Sequence, residues 1–214
     1  MSPNYEQIEG CLNELDHELL RVGAERCDYL QQESQLWAVI LLLLRSSSLL
    51  RSVARLYHSR DLDAFDAVRR AFFESWQLAF QFRMENARGE VGRWLAQAPD
   101  AWSADLRRLD DYARERGLDA PDIGRQYGQL SELAHPTRSA CGNSAVLITN
   151  RLGMLDPNDN TLPEAIADFE REPAALLYRL VWLVLDSDAA FIGLGVNESN
   201  ITNCVSFAEG YRRR

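Results

Sequence analysis

A short stretch in the second half of the chain carries residue types suited to acid–base or phosphate chemistry. Gly124, Gly128, Ser131 and His135 are separated by four, three and four positions, so a helix would place them on one face. Small residues on that face let a second backbone approach closely. Pro136 disfavours helical geometry at His135, which predicts that the helix ends there. The spacing therefore predicts an imidazole at a helix end, pointing into a contact between helices.

A structural role for His135 stays open beside the chemical one. A histidine in the last turn of a helix interacts favourably with the helix C-terminus and can hydrogen-bond the carbonyl groups left free there. At neutral pH an imidazole is also the side chain best suited to transfer protons. The sequence alone leaves both roles in place.

The motif Glu-x-x-His occurs twice, at Glu14/His17 and at Glu132/His135. Two such pairs, with one further glutamate from each of two other helices, form the ligand set of di-metal carboxylate bundles. Glu14 and His17 lie on the polar side of their predicted helix and should face water. A site built from all three histidines is also disfavoured, because His58 falls at a helix end. We therefore expect no metal or other cofactor.

A second candidate lies in an aromatic-rich segment around residues 71–82. Arg70 and Glu74 are four positions apart and form the start of a polar stripe that continues through Gln77, Gln81 and Glu85. This stripe can be a solvated or interface-facing strip. Alternatively, Glu74 is a buried carboxylate paired with Arg45 or His135 across the bundle, since an unpaired buried charge costs several kcal/mol. The candidate catalytic residues are His135, Glu74 and Arg70.

Composition limits the class of protein. The chain has 214 residues with 46% hydrophobic and 26% charged side chains, which suits one soluble domain with a sizeable core. Its net charge of −9 argues against a broad basic surface for duplex nucleic acid, and all 23 cationic side chains are arginine. The four cysteines are scattered without a Cys-x-x-Cys pair, so we expect a reduced, cytoplasmic protein.

Helical periodicity dominates the chain. One apolar stripe recurs at helical spacing in the first segment: Ile8, Leu12, Leu15, Leu19 and Val22. A second helix, over residues 33–58, is apolar nearly all round at its start and should be central and mostly buried. Capping and turn residues then predict further helices over about 61–88, 99–116, 121–135, 163–173 and 174–194, with a break or restart near Pro173.

The predicted organisation is a single all-α bundle of about six or seven helices. Periodicity fails over 137–161, where turn residues predict an irregular segment. Residues 1–196 are assigned to the bundle domain and 197–214 to a C-terminal tail. The apolar run Leu36 to Leu44 is far shorter than the ~20 residues that cross a bilayer, and the first residues are acidic and polar. We expect neither a membrane span nor a signal peptide.

Two segments carry a resemblance to known proteins. Arg70 with Glu74, followed by the Leu130-Ser131 and His135-Pro136 pairs, resembles a layout found in bacterial all-helical proteins of unknown function. Those proteins are similar, more distantly, to the HEPN superfamily, some members of which are metal-independent ribonucleases. The resemblance covers about residues 35–140. The resemblance implies His135 as the reacting or phosphate-contacting residue. The nearest preceding arginine, Arg125, is separated from His135 by nine residues, so folding must bring an arginine near the histidine.

Two functions are carried forward from the sequence. The first is a helical interaction or regulatory module of a bacterial cytoplasmic protein, in the context of phage defence or of toxin–antitoxin systems, that binds itself or a protein partner. The alternative is a HEPN-like, metal-independent ribonuclease that uses His135 and a nearby arginine. RNA is a partner only under this alternative.

Under the nuclease alternative, the substitution His135→Ala should remove activity without lowering stability. RNA cleavage, or growth arrest on expression, should be abolished while the melting temperature stays nearly unchanged. Gel assays with single-stranded RNA and a thermal melt of the same preparation measure the two quantities. Loss of folding in this variant would assign His135 to the structural role at the helix end.

Overall fold

Seven α-helices form the described part of the molecule. The computed structural model describes residues 5–26, 35–59, 61–96, 106–116, 161–186 and 191–212. The helices are α1 (Tyr5–Arg26), α2 (Gln35–Ser59), α3 (Leu62–Phe82), α4 (Arg88–Leu95), α5 (Leu106–Glu115), α6 (Thr161–Leu185) and α7 (Thr202–Arg212). Within these ranges the β-pairing is limited to an isolated bridge between Met84 and Phe191. The predicted all-α, single-domain fold is confirmed.

Helix α2 lies at the centre, as its nearly all-round apolar start predicts. It packs against α1, α3, α4 and α6. Its outward strip is polar, as expected: Arg45, Ser48 and Arg55 are exposed. By length and composition α2 is also the one described helix that would qualify as a membrane span, with a mean hydropathy of 1.6 over an 18-residue window. Half of that window is buried against the rest of the protein.

The apolar stripe predicted in the first segment forms one side of the core. Ile8, Leu12, Leu15, Leu19 and Val22 are all at most 4% exposed. These side chains face α2, which runs antiparallel to α1. The direction follows because Arg51, in the second half of α2, meets Glu9 and Asp16 near one end of α1. At the other end, Gly23 lies against Trp37 and Ile40.

Helix α3 begins as predicted and ends earlier. Asp61 caps its N-terminus by accepting a hydrogen bond from the Ala64 N–H at 3.3 Å. The helix stops at Phe82 instead of continuing to about Arg88. The Gln35 side chain donates to the carbonyls of Phe82 and Met84 at 2.5 and 2.7 Å, and extended Met84 pairs with Phe191. These tertiary contacts replace the next helical turn. A 3-10 turn (Glu85–Ala87) and α4 follow.

Helix α6 also departs from its prediction. It is one continuous helix that contains Pro173, where a break or restart is predicted. Proline removes one hydrogen bond there, but the following turns are held by burial, since Leu176, Leu177, Leu180 and Val181 are fully buried. The helix ends at Leu185, nine residues before the predicted end. Residues 191–197 are not helical, and Phe191 and Leu194 are buried.

The segment from Asn197 onward is folded against the bundle. A 3-10 turn (Glu198–Asn200) leads into α7, which packs on α1 and α6. Ile201 and Cys204 have no exposed surface, so this segment contributes side chains to the core. The predicted helix over 121–135 and the predicted irregular segment, apart from Thr161, lie outside the described residues.

A fully buried guanidinium joins the ends of α3 and α6. Arg83 donates to the carbonyl oxygens of Leu183 and Asp186, which are the unpaired acceptors at the C-terminal end of α6, and to Ile192 O at 3.3 Å. Its Cζ atom lies 5.3 Å from the centre of the Phe191 ring. Burial lowers the pKa of Arg83 to about 10, so the group remains a cation at neutral pH. Its positive charge interacts with the carbonyl dipoles and with the face of the Phe191 ring.

Replacement of this guanidinium should destabilise the fold. In Arg83→Met, buried carbonyl groups lose their donor, which predicts a loss of about 2–4 kcal/mol in the free energy of unfolding. Urea denaturation followed by circular dichroism measures the change. The matched control is Arg114→Met, because Arg114 is 60% exposed and pairs only with exposed Asp111 among the described residues; its loss should stay within about 0.5 kcal/mol. Equal losses in the two variants would contradict the assignment.

Candidate functional site

The structure brings two of the three predicted site residues together. Arg70 Nε donates to Glu74 Oε1 at 3.0 Å, which is the ion pair expected from their spacing on α3. About a quarter of each side chain is exposed. His135, the third candidate, lies outside the described residues, as do Gly124, Gly128, Ser131 and Arg125.

The polar stripe that starts at Arg70 is more deeply buried than a solvated strip. Gln77 is 2% exposed and Gln81 is 8% exposed, and Asp66, one turn before Arg70, is 9% exposed. Gln81 donates to the carboxylate of Glu90 on α4. Only Glu85, beyond the end of α3, is fully at the surface. This face of α3 is therefore a semi-buried polar wall.

Two arginines of neighbouring helices contact α3 beside this wall. Arg45, proposed as a partner of Glu74 across the bundle, donates instead to Ser75 Oγ at 3.1 Å on another side of α3. Arg179 of α6 is 7% exposed, and its Cζ atom lies 5.1 Å from the centre of the Phe73 ring. The described geometry thus provides an ion pair and a buried cation, which can position an anionic group but do not by themselves define a reaction.

Two carboxylates of α1 hold the first turn of α7 and the segment that precedes it. Glu14, expected to face water, accepts hydrogen bonds from the N–H groups of Asn203 at 3.0 Å and Cys204 at 3.4 Å. These N–H groups lie in the first turn of α7, where a negative charge also interacts favourably with the helix dipole. Glu14 therefore caps α7 from another helix. His17 is exposed, as predicted.

Glu18 lies one turn further along α1 and has no exposed surface. It accepts hydrogen bonds from the N–H of Asn197 at 2.6 Å and from the side chain of Asn200 at 2.7 Å, and Arg21 donates to both of its oxygens. The Arg21 hydrogen bonds above all hold the pKa of Glu18 at about 2, against an ordinary value of 4.5. Glu18 is a satisfied buried anion.

The arginines of the same helix complete this attachment. Arg21 and Arg26 donate to the carbonyls of Gly195 at 3.3 Å and Gly193 at 2.8 Å. Gly195 has a φ of +70°, a left-handed backbone conformation that favours glycine. We call Glu14, Glu18, Arg21 and Arg26, with residues 193–204, the C-terminal clasp. The spacing of Glu14, Glu18, Arg21 and Glu25 on one side of α1 is the sequence signal that indicates it.

A surface seam between α1 and α2 changes character along its length. At one end it is ionic: Arg51 contacts Glu9 at 2.8 Å and Asp16 at 3.0 Å. Toward the other end it becomes apolar. Leu20 is 60% exposed and Leu41 is 37% exposed, the two large hydrophobic side chains most open to solvent in the described structure.

The antiparallel register places these leucines side by side. Since Asp16 lies opposite Arg51 and Gly23 lies opposite Trp37 and Ile40, Leu20 falls opposite residues 41–44. Trp37, Leu41 and Leu44 follow one another at helical spacing, and Trp37 and Leu44 are partly exposed. We call Leu20, Trp37, Leu41 and Leu44 the seam patch. It is the contiguous apolar surface that the described structure offers to a partner.

Within the described residues, no group of three or more histidine, cysteine, aspartate or glutamate side chains is arranged to hold a metal ion. His17 and His58 are both exposed, and His58 lies against the Tyr5 ring at a centroid distance of 5.9 Å. Neither is near the Arg70–Glu74 pair in sequence or along the helices described.

Comparison with known protein families, with curated proteins and with solved structures finds no match to this chain. The functional argument therefore depends on the geometry of the described residues.

Ionisation of Glu18 should make stability depend on pH in the acid range. Because its pKa is lower in the folded protein than the ordinary 4.5, its contribution is complete above that pH and is lost as pH falls toward about 2. We expect Glu18→Gln to lose about 3 kcal/mol of unfolding free energy at pH 7, with a gap to wild type that narrows below pH 4.5. Urea titrations at several pH values measure this gap.

The matched control for this experiment is Glu25→Gln. Glu25 also accepts a hydrogen bond from Arg21, but its side chain is 57% exposed. Glu25→Gln should lower the free energy of unfolding by no more than about 1 kcal/mol at neutral or acid pH. A gap for Glu18→Gln that stays constant from neutral to acid pH would show that Glu18 does not fold as a buried anion.

Proposed function

We propose that this chain is a helical interaction module that associates with a second copy of itself through the seam patch. The exposure of Leu20 and Leu41, which the register of α1 against α2 brings to the same stretch of the seam, is the observation that carries the proposal. Single exposed leucines are ordinary on protein surfaces, but a contiguous apolar patch with a polar rim is typical of binding sites. The seam patch has such a rim, because Arg45 and Ser48 border it on α2 and Glu25 follows it on α1.

The charges on the two sides of the seam favour a second copy as the partner. Among the exposed side chains, α1 carries Glu6, Glu25 and Arg26, whereas α2 carries Arg45 and Arg55 and contains no acidic residue. A two-fold axis parallel to the seam would place α1 of each copy against α2 of the other. Apolar then meets apolar and negative meets positive, although the whole chain carries a net charge of −9.

The length of the seam suits such a contact. A stable interface buries about 800 Å² on each partner, more than four side chains supply. Helices of 22 and 25 residues run for about 33 Å or more, so the contact can extend from the seam patch over the charged side chains beside it. The patch would be the centre of the interface and the charged residues its rim.

The proposed setting is a bacterial cytoplasm, in phage defence or a toxin–antitoxin system, as the sequence resemblance implies. The ribonuclease alternative depends on His135 and is tested by its own substitution.

A negative charge in the seam patch should weaken self-association. Leu41→Glu would face the acidic α1 of the second copy, and we expect the dissociation constant to rise at least about tenfold, equivalent to ~1.4 kcal/mol. Light scattering coupled to gel filtration, over a concentration series up to about 100 μM, measures the change. Raising the salt concentration should weaken the wild-type dimer as well.

The control is Ala96→Glu, which adds the same charge at an exposed position after α4. It should leave the dissociation constant unchanged, and both variants should keep the wild-type helical spectrum. A wild-type protein that is monomeric throughout this series would refute self-association. Cleavage of single-stranded RNA by the wild-type protein, at a cleft between two copies, is what the ribonuclease alternative predicts.

A further inference from the structure

Two buried thiols meet where α1 packs against α7. Cys11 is 3% exposed and Cys204 is fully buried, and both are free. The Cys204 thiol donates to the backbone carbonyl of Cys11 at 3.1 Å. This contact places the Cys204 sulfur directly against residue 11 of the facing helix. The two cysteines are 193 positions apart in sequence, and no spacing motif indicates this pairing.

The surroundings of the pair favour reaction between the two thiols. The hydrogen bond from Cys204 lowers the pKa of the Cys11 thiol below its ordinary value, which favours Cys11 as the thiolate. The same interaction raises the pKa of Cys204, which therefore keeps its proton. Glu14 Oε2 lies 3.7 Å from the Cys204 sulfur and can accept that proton. One thiol is thus prepared to attack and the other to resolve.

We propose that Cys11 and Cys204 form a reversible disulfide bond that fastens α7 to α1 when the protein meets a peroxide. The proposal is independent of self-association, because the pair lies in the core and not in the seam patch.

The reaction balances in two steps. The Cys11 thiolate attacks one oxygen of hydrogen peroxide, the O–O bond breaks, and with one proton added the products are the Cys11 sulfenic acid and water. The Cys204 sulfur then attacks the sulfenic sulfur, its proton passes through Glu14 to the departing hydroxide, and the S–S bond and a second water form. Two thiols are oxidised by two electrons and one peroxide is reduced. A small-molecule thiol reverses the bond by exchange.

Access to the pair requires local opening of α7. In the described structure α7 packs on α1, α6 and the preceding 3-10 turn, and its other face, with Ser206, Glu209 and Gly210, is exposed. Such peripheral elements open at lower free energy than the central helices. The disulfide would then hold α7 and the C-terminal clasp closed, because it crosses the same contact as Glu14.

The experiment uses the full chain with Cys27→Ser and Cys141→Ser, so that only the proposed pair remains. The folded protein is treated with hydrogen peroxide, digested without reduction, and examined by mass spectrometry. We expect the loss of two hydrogen atoms per chain, a cross-linked peptide joining Cys11 to Cys204, and reversal by dithiothreitol. The oxidised form should melt about 10 °C higher than the reduced form, since the bond closes a very long loop.

The control adds Cys204→Ser to the same background. Peroxide should then leave Cys11 as a sulfenic or higher oxide, with no gain in melting temperature. If this control does not fold, the cross-link and the melting shift in the two-cysteine protein still decide the question. Addition of oxygen atoms without a cross-link in the two-cysteine protein would overturn the proposal. So would a cross-link that forms only in denaturant.

Discussion

The burial of α2 is the constraint on which the rest of this structure depends. A helix that is apolar nearly all round its first half must be surrounded, and α1, α3, α4 and α6 supply that cover. One outward strip of α2 is polar and includes Arg45, Ser48 and Arg55, while Ser46 and Ser47 are buried. The seam with α1 is the place where the cover is incomplete. The proposed interface lies there because the apolar surface of α2 exceeds what a single chain encloses.

Hydrogen bonds with the backbone stabilise the buried charges of this protein as much as ion pairs do. Arg83 is surrounded by carbonyl oxygens and an aromatic ring, and Glu18 accepts from a backbone N–H, an amide and a guanidinium. Both groups join segments that are far apart in sequence. Each is costly to bury alone, so the partner segments must be in place for the group to be stable. Their positions therefore specify how the two ends of the described chain meet.

The periodic parts of this fold can be predicted from sequence, and the tertiary contacts cannot. The stripe from Ile8 to Val22 and the central position of α2 follow from apolar spacing. The Arg70–Glu74 pair follows from a separation of four residues. The end of α3 at Phe82 does not, because Gln35 and Phe191 determine it from distant parts of the chain. Likewise Glu14 and Glu18 appear solvent-facing until the segment from Asn197 is placed against them. The charge stripe on α1 is the only local signal of that contact.

The attachment of the C-terminal clasp to α1 has a consequence for how the protein is made. Glu14 and Glu18 obtain their backbone donors from residues 197–204, and Arg83 obtains its acceptors from residues 183–192. During translation the first helices leave the ribosome long before these partners have been synthesised. Until then Glu18 has only Arg21 as its partner, Arg83 lacks its carbonyl acceptors, and the apolar side of the early helices stays open. The early helices therefore complete their folding only when the last third of the chain has emerged.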